Sequence, residues 1–245
     1  MQKSILQNAN LANLTDLWRI GSSAFQSYYS NADFDYCWIN DAAWPNRLWF
    51  HQMPNSESIL KAKKVIHQAP FSLTIPYWDI YPQDSQPLLI QEGFEAYFEQ
   101  MAMVLKLENQ YSISKKFKLQ KVTQESEAKQ WTDLFIQAFR YRISPLTILK
   151  NRSFSYYIAY YENQAIGTAL TNPTHNNIGV HAIGVPPQHR RKGLAALIMQ
   201  QLINWAVQEK RDYMTLQASN MGKGLYLKLG FEEQFLITNY RLPKQ

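Results

Sequence analysis

The chain has 245 residues, of which 46% are hydrophobic, 18% charged and 14% aromatic. That composition excludes a disordered protein and supplies enough apolar material for one large domain or two of about 100 to 130 residues. The net charge of +6 is divided unevenly, residues 1–110 carrying −4 and residues 111–245 carrying +10, which suits an anionic ligand of the second half.

Residues 1–12 show neither a basic start, an apolar run nor a small-residue cleavage site, and no window approaches about 18 consecutive apolar residues, so the chain reads as soluble, cytoplasmic and free of the membrane. Residues 11–25 place Leu14, Leu17, Trp18, Gly21 and Phe25 on one helical face. An aromatic-rich stretch follows, from Tyr28 to Phe50; it serves either core and lid packing or an acceptor pocket lined by rings. Cys37, the single cysteine, forbids an internal disulfide and reads as a small core residue. Residues 61–67 suggest a further helix.

Residues 72–76, 88–94 and 98–107 then read as strand, short helix ending in Gly-Phe, and strand. The same outline returns at 214–218, 225–231 and 235–242, the pattern of a degenerate internal repeat. Between them the polar run 109–116 marks a boundary, which divides the chain into an N-terminal α/β region, 1–114, and a second domain, 115–245.

The second domain opens with an alternating strand at 117–122 and an amphipathic helix at 126–140 carrying Ala128, Trp131, Leu134, Phe135 and Ala138. Strands at 154–161 and 165–170 are separated by a hairpin-sized connection, and a third strand at 178–185 follows the turn-forming residues 172–177, giving an antiparallel meander. After Pro186-Pro187 comes a helix with Leu194, Leu197, Ile198, Leu202, Trp205 and Ala206 on one face, then the strand 213–218, a short helix at 224–229 and a last strand at 234–242.

The segment with most chemical content is Val185-Pro-Pro-Gln-His-Arg-Arg-Lys-Gly-Leu-Ala-Ala196, between a predicted strand and a predicted helix. Gly193 and Ala195 lack bulk, so helix-start N–H groups approach an anion closely, and Arg190, Arg191 and Lys192 add positive charge. A basic turn capping a helix has the same local composition. The string Arg191-Lys-Gly-Leu-Ala195 with its preceding Arg190 resembles the (Arg/Gln)-x-x-Gly-x-(Gly/Ala) signature of the GNAT N-acetyltransferase superfamily. Ser219-Asn-Met-Gly-Lys-Gly-Leu-Tyr-Leu-Lys-Leu-Gly-Phe231 resembles that family's second signature.

The resemblance spans about residues 117–242. It implies a mixed α/β (α+β) chain with a GNAT acyl-CoA N-acyltransferase fold in the C-terminal half and, before it, a degenerate half-repeat of that fold which shapes the acceptor site. It implies further that strands ending at Val185 and Ala218 splay apart to admit the pantetheine arm of acetyl-CoA. Main chain at Ile183 and Val185 would bond that arm, and Arg190, Arg191, Lys192, Gly193, Leu194 and Ala195 would hold the pyrophosphate. Ser219 stands where many relatives have Asn. Tyr226 matches the family's tyrosine, whose hydroxyl protonates the departing thiolate; its counterpart in the repeat is Leu89, and no basic glycine loop precedes that residue, so the first half is expected to bind no cofactor.

Some relatives carry a glutamate base where this chain has Gly179. His181, on the same strand face, is the alternative base, and an ordered water chain is another. The implied partners are acetyl-CoA and an amine acceptor, with no metal, no nucleic acid and no membrane. Acidic residues Asp33, Asp35 and Asp41 would draw a cationic acceptor. Two rival readings are a non-catalytic acyl-CoA-binding sensor or scaffold, and nucleic-acid binding by the +10 half, which the scattered placement of its Lys and Arg disfavours.

Overall fold

The computed structural model describes residues 2–40 and 42–243. The N-terminal region runs α1 (Gln2–Ser23), β1 (Tyr28–Ser30), β2 (Phe34–Cys37), β3 (Arg47–Phe50), α2 (Ser56–Gln68), β4 (Ile75–Trp78), α3 (Gln86–Gln91) and β5 (Glu95–Lys106). The C-terminal region begins with β6 (Phe117–Lys121), α4 (Glu125–Phe139), α5 (Pro145–Lys150), β7 (Ser155–Tyr161), β8 (Gln164–Thr174) and β9 (Asn177–Gly184). It ends with α6 (Leu194–Gln208), β10 (Tyr213–Ala218), α7 (Asn220–Lys228) and β11 (Glu232–Arg241).

Strands β1 to β3 form a small antiparallel sheet, and the rest form one eight-stranded sheet in the order β4-β11-β5-β10-β9-β8-β7-β6. The central block β4-β11-β5-β10 is the expected repeat made visible. The closing strand of each region is exchanged: β5 pairs with β10, β11 pairs with β4, and β5 and β11 pair with each other, all antiparallel. The preceding helices end alike. Gly93 (φ 85°) and Gly230 (φ 90°) take the left-handed conformation that a helix C′ residue requires. Phe94 N–H then reaches back to Leu89 O and Phe231 N–H to Tyr226 O, each at 3.0 Å. The boundary at 114/115 thus lies in a connection, while the main sheet runs through both regions.

Helices α1 and α4 cover one face of this sheet, around Leu14, Leu17, Trp131, Phe135, Tyr156 and Leu170. Helices α6 and α7 cover the other, around Ile198, Leu202, Met214, Leu216 and Phe231. In the N-terminal region α2 and α3 enclose Phe34, Leu48, Ile59, Leu73 and Leu89. The aromatic stretch is largely core: Trp18 lies against Trp49 and Trp78 at centroid distances of 5.4 and 6.1 Å. Cys37 is buried, and burial pushes its thiol up to about 11, so it stays protonated and inert.

Among the departures from the sequence expectation, three have a visible local cause. The first helix starts nine residues early because its opening turns are held by polar bonds that hydrophobic periodicity does not register: Gln7 Nε2 donates to Gln234 O, and Asn10 Nδ2 to Met103 O and Gln234 Oε1. Residues 172–174, expected as turn, belong to β8, pairing with Ile178 and Asn177 through Pro173 and Thr174. Pro173 is tolerated because β7 stops pairing at Thr171, so no partner on that edge needs its missing N–H. The last helix begins at Asn220 rather than 224, since Ser219 caps it.

Candidate functional site

The site begins where two parallel strands part. β9 and β10 pair only through Asn177–Tyr213, Ile178–Met214 and Gly179–Thr215, so beyond Gly179 the edge of β9 that faces β10 is open. On its other edge β9 carries one extra residue between Gly184 and His181, a bulge with Ala182 at φ 54°. Thr168 Oγ1 fixes it by donating to Ala182 O at 2.9 Å. Ala182 and Ile183 therefore have no partner in the β8 register, and the β10 register has ended before them at Gly179.

At the end of this opening, Val185 leads through a single 3-10 turn (Pro187–His189) to the start of α6. Arg191 (φ 61°) and Gly193 (φ 74°) turn the chain sharply, and no side chain caps α6. The first intrahelical donors are Ala196 and Leu197, both bonded to Gly193 O. A shallow depression of about 150 Å³ at this helix start is lined by Val185, Arg190, Arg191, Gly193, Leu194, Ala195 and Leu225. An uncapped helix start carries partial positive charge and is suited to an anion.

The basic residues divide their work. Arg190 is partly engaged: its Nε donates to Val185 O at 3.0 Å and its Nη2 to Ala138 O at 3.1 Å, which straps the loop to the end of α4 and leaves its remaining N–H groups at the depression. Arg191 and Lys192 are exposed and carry the charge. Lys192 also borders a wider hollow of about 400 Å³ with His189, Tyr161, Glu162 and Leu197.

The equivalent helix start in the N-terminal region is closed. Asn55 Oδ1 accepts from Ser58 N–H at 2.9 Å while Ser58 Oγ accepts from Asn55 N–H at 3.0 Å, a complete capping box on α2. The two regions share topology, and only one of them presents open donors.

Across the strand opening lies α1. Asn13 Nδ2 donates to Asn172 O and Thr174 Oγ1, both at 2.8 Å, which turns its Oδ1 towards His181 Nε2 at 3.2 Å. With Oδ1 as acceptor, the bond assigns the His181 proton to Nε2. Burial pushes the imidazole down to about 4 against a weaker opposing hydrogen bond from Gln217. His181 is therefore neutral near pH 7, a weak base with one nitrogen already engaged. Gln217 is held by Asn10 Oδ1 at 2.8 Å. Asn10 and Asn13 escaped the sequence reading; the available signal was a pair of amides at i and i+3 beside the apolar stripe of Leu14 and Leu17.

Asn13 also accounts for Gly179. A Cβ there would stand 1.7 Å from Asn13 Oδ1 and 2.8 Å from His181 Nε2, so any side chain, a glutamate included, is excluded while α1 is in place.

Because His181 has a lower pKa folded than its unfolded value of 6.5, the unfolded chain takes up this proton first, and stability falls as pH drops from 6.5 towards 4. The contribution is at most about 3 kcal/mol. Thermal melts across that range should show a shallower pH dependence for His181→Gln; equal slopes would refute the assignment.

Tyr226 faces inward from α7. Its ring packs edge-on to Phe231 at 5.7 Å and against Gly222, where a Cβ would sit 3.2 Å from Cε2, and burial pushes its hydroxyl up to about 12. Ser219 serves as the cap of α7, its Oγ accepting from Gly222 N–H at 3.3 Å. The acidic residues expected to attract an acceptor are locally paired: Asp33 with Lys61 Nζ and Asp35 with His51 Nε2, each at 2.9 Å. Asp41 lies outside the described residues.

A mixed sheet opened between two parallel strands, with an uncapped helix at its mouth, is a geometry suited to an elongated ligand with an anionic end. Residues 116–231 match the model of the acetyltransferase (GNAT) family, and this part of the chain is a GNAT acetyltransferase domain. No curated protein matches the sequence. A GCN5-related N-acetyltransferase from Kribbella flavida superposes over 96% of this chain and 97% of its own, with TM-score 0.73 and 12% identity. A functionally unknown conserved protein from Staphylococcus epidermidis ATCC 12228 covers 89% and 94%, with TM-score 0.65 and 14% identity. A tandem GNAT protein from the clavulanic acid biosynthesis pathway covers 86% and 79%, with TM-score 0.58 and 12% identity. At these identities the likeness establishes the fold, which includes the N-terminal region. No helix among the described residues is long and apolar enough to cross a membrane.

Proposed function

We propose that the chain transfers the acetyl group of acetyl-CoA to a primary amine by direct attack. The observation that carries this reading is the uncapped start of α6 at the mouth of the β9–β10 opening: the donors ahead of Ala196, with Arg191 and Lys192, take the pyrophosphate. The pantetheine arm lies along the open edge of β9 and bonds main chain at Ile183 and Val185, while Ser219 flanks it from the cap of α7.

The neutral amine nitrogen attacks the thioester carbonyl carbon, forming the C–N bond and a tetrahedral oxyanion. Collapse breaks the C–S bond and releases the CoA thiolate, and the proton lost by the attacking nitrogen ends on sulfur. With its hydroxyl near 12, Tyr226 is a weaker acid than a thiol of about 8.5, so outright transfer is uphill by about 5 kcal/mol. Tyr226 therefore acts by donating a hydrogen bond to the sulfur as charge develops there, and relays a proton only as the ammonium gives one up. His181, a weak base, orients the Asn13–Gln217 network that borders the attacking amine; water passes the amine proton on towards Tyr226 and the sulfur.

Tyr226→Phe is expected to lower kcat about a hundredfold with little change in the KM for acetyl-CoA. Steady-state kinetics on any accepted amine measures this. An unchanged kcat would remove Tyr226 from the chemistry.

A non-catalytic acyl-CoA sensor is the second reading, favoured by one observation: the place of a glutamate base is taken by Gly179 and filled by Asn13. It requires acetyl-CoA binding without turnover on any amine, and an intact biological effect in Tyr226→Phe.

A further inference from the structure

Arg47 has no role in the donor site, and its surroundings are unusual for a cation. It opens β3 on the sheet face that also carries Asp35, Cys37 and Trp49. Its guanidinium lies 5.8 Å from the Trp18 ring and 6.0 Å from the Phe98 ring. One long hydrogen bond satisfies it, from Nη1 to Asn46 O at 3.3 Å, and its Nε is buried with no partner. Among the described residues no carboxylate pairs with it. Asp35, an acid on that face, is paired with His51 Nε2 at 2.9 Å. The groups close enough to act on the Arg47 charge are the Tyr141 and Tyr97 hydroxyls and the Cys37 thiol. Arg47 is half-buried, and a guanidinium offers five donors in a planar fork and stays charged, so withdrawing part of it from water without an anion is unfavourable.

Its position relates it to the strand opening along two elements. Trp18 follows Asn13, the residue that holds His181, by about 7.5 Å of helix. Phe98 precedes Met101, the partner of Ala218 at the end of β10, by about 10 Å of strand. Arg47 is thus linked to the strand opening through α1 and β5, two elements that border it.

We infer that Arg47 binds a carboxylate of the acceptor, so that the acceptor is a small amine bearing a carboxylic acid. This rests on the acetyl-transfer reading above. A single carboxylate matches the planar fork and neutralises one positive charge, whereas a phosphate dianion would leave a buried negative charge among aromatic rings.

The test uses the full chain, with glycine, β-alanine, γ-aminobutyrate and ε-aminocaproate each paired with the alkylamine that lacks the carboxylate. Binding is read without acetyl-CoA from the ¹⁵N signal of the Arg47 Nε–H, assigned by its loss in Arg47→Gln. Turnover is read with acetyl-CoA. The expected result is a saturable shift of that signal by at least one amino acid and not by its amine, and a KM about ten- to a hundredfold lower for that amino acid. Arg47→Gln should shrink the preference to within about twofold, and Arg47→Lys, which keeps the charge without the fork, should restore it only in part. If the amines are acetylated with no preference for a carboxylate, or the preference survives in Arg47→Gln, the inference is overturned while acetyl transfer stands. If the Arg47 signal shifts but no amine is acetylated, the anion site stands and the acetyl-transfer reading fails. No shift with any of the four amino acids overturns the inference, whether or not Arg47→Gln folds.

Discussion

Ala195→Asp is expected to weaken acetyl-CoA binding at least about a hundredfold while leaving the melting temperature unchanged or raising it. Ala195 is the second residue of α6, and the helix start there is uncapped. A carboxylate in the first turn interacts favourably with the helix dipole, by about 0.3 to 1 kcal/mol. The same carboxylate would lie within about 4 Å of a bound pyrophosphate, where like charges at an effective dielectric near 20 repel by several kcal/mol. Affinity and stability should therefore move in opposite directions, which a general loss of folding cannot imitate. Calorimetric titration and thermal melting of one preparation give both numbers. Retained affinity would place the anion elsewhere.

The second large effect is expected at Gly179→Ala, with a loss of about 3 kcal/mol in stability. The new methyl group needs the space of the Asn13 amide, which holds Asn172 O, Thr174 Oγ1 and His181 together. Asn13→Ala alone should cost about 2 kcal/mol by leaving buried acceptors unpaired. Because both changes remove the same amide from the same place, the double variant should be no less stable than the costlier single one. Denaturant titrations of the four proteins make up the cycle, and additive losses would show that Gly179 and Asn13 are not competing for one space.

These two residues also mark how far the sequence could be read. The turn that leads into α6, the strand–helix order after residue 117 and the Gly-Phe helix endings at Gly93 and Gly230 are encoded locally, in spacing and in residues suited to left-handed backbone, so they were legible. The three-stranded sheet of the aromatic stretch was not, because its strands are three or four residues long and its Trp49 packs on Trp18 from the distant α1. Nor was the exchange of β5 and β11, since a strand's alternation records which face is buried and not which neighbour it pairs with. In the site, Arg190 reads as a phosphate ligand by type, and only the carbonyls of Val185 and Ala138 show it to be a strap. Asn13 acts across 168 residues to reach His181, a relation that no local pattern carries.

The same comparison sharpens the central claim. Two halves of similar topology differ at the start of one equivalent helix: α2 begins in a complete capping box, and α6 begins without a side-chain cap. Calorimetric titration of the wild-type chain with acetyl-CoA tests that difference most directly. The account predicts one site per chain, with micromolar affinity or better, about −8 kcal/mol, lost when Arg191 and Lys192 are replaced by Ala. Absence of binding, or two equivalent sites, would contradict it.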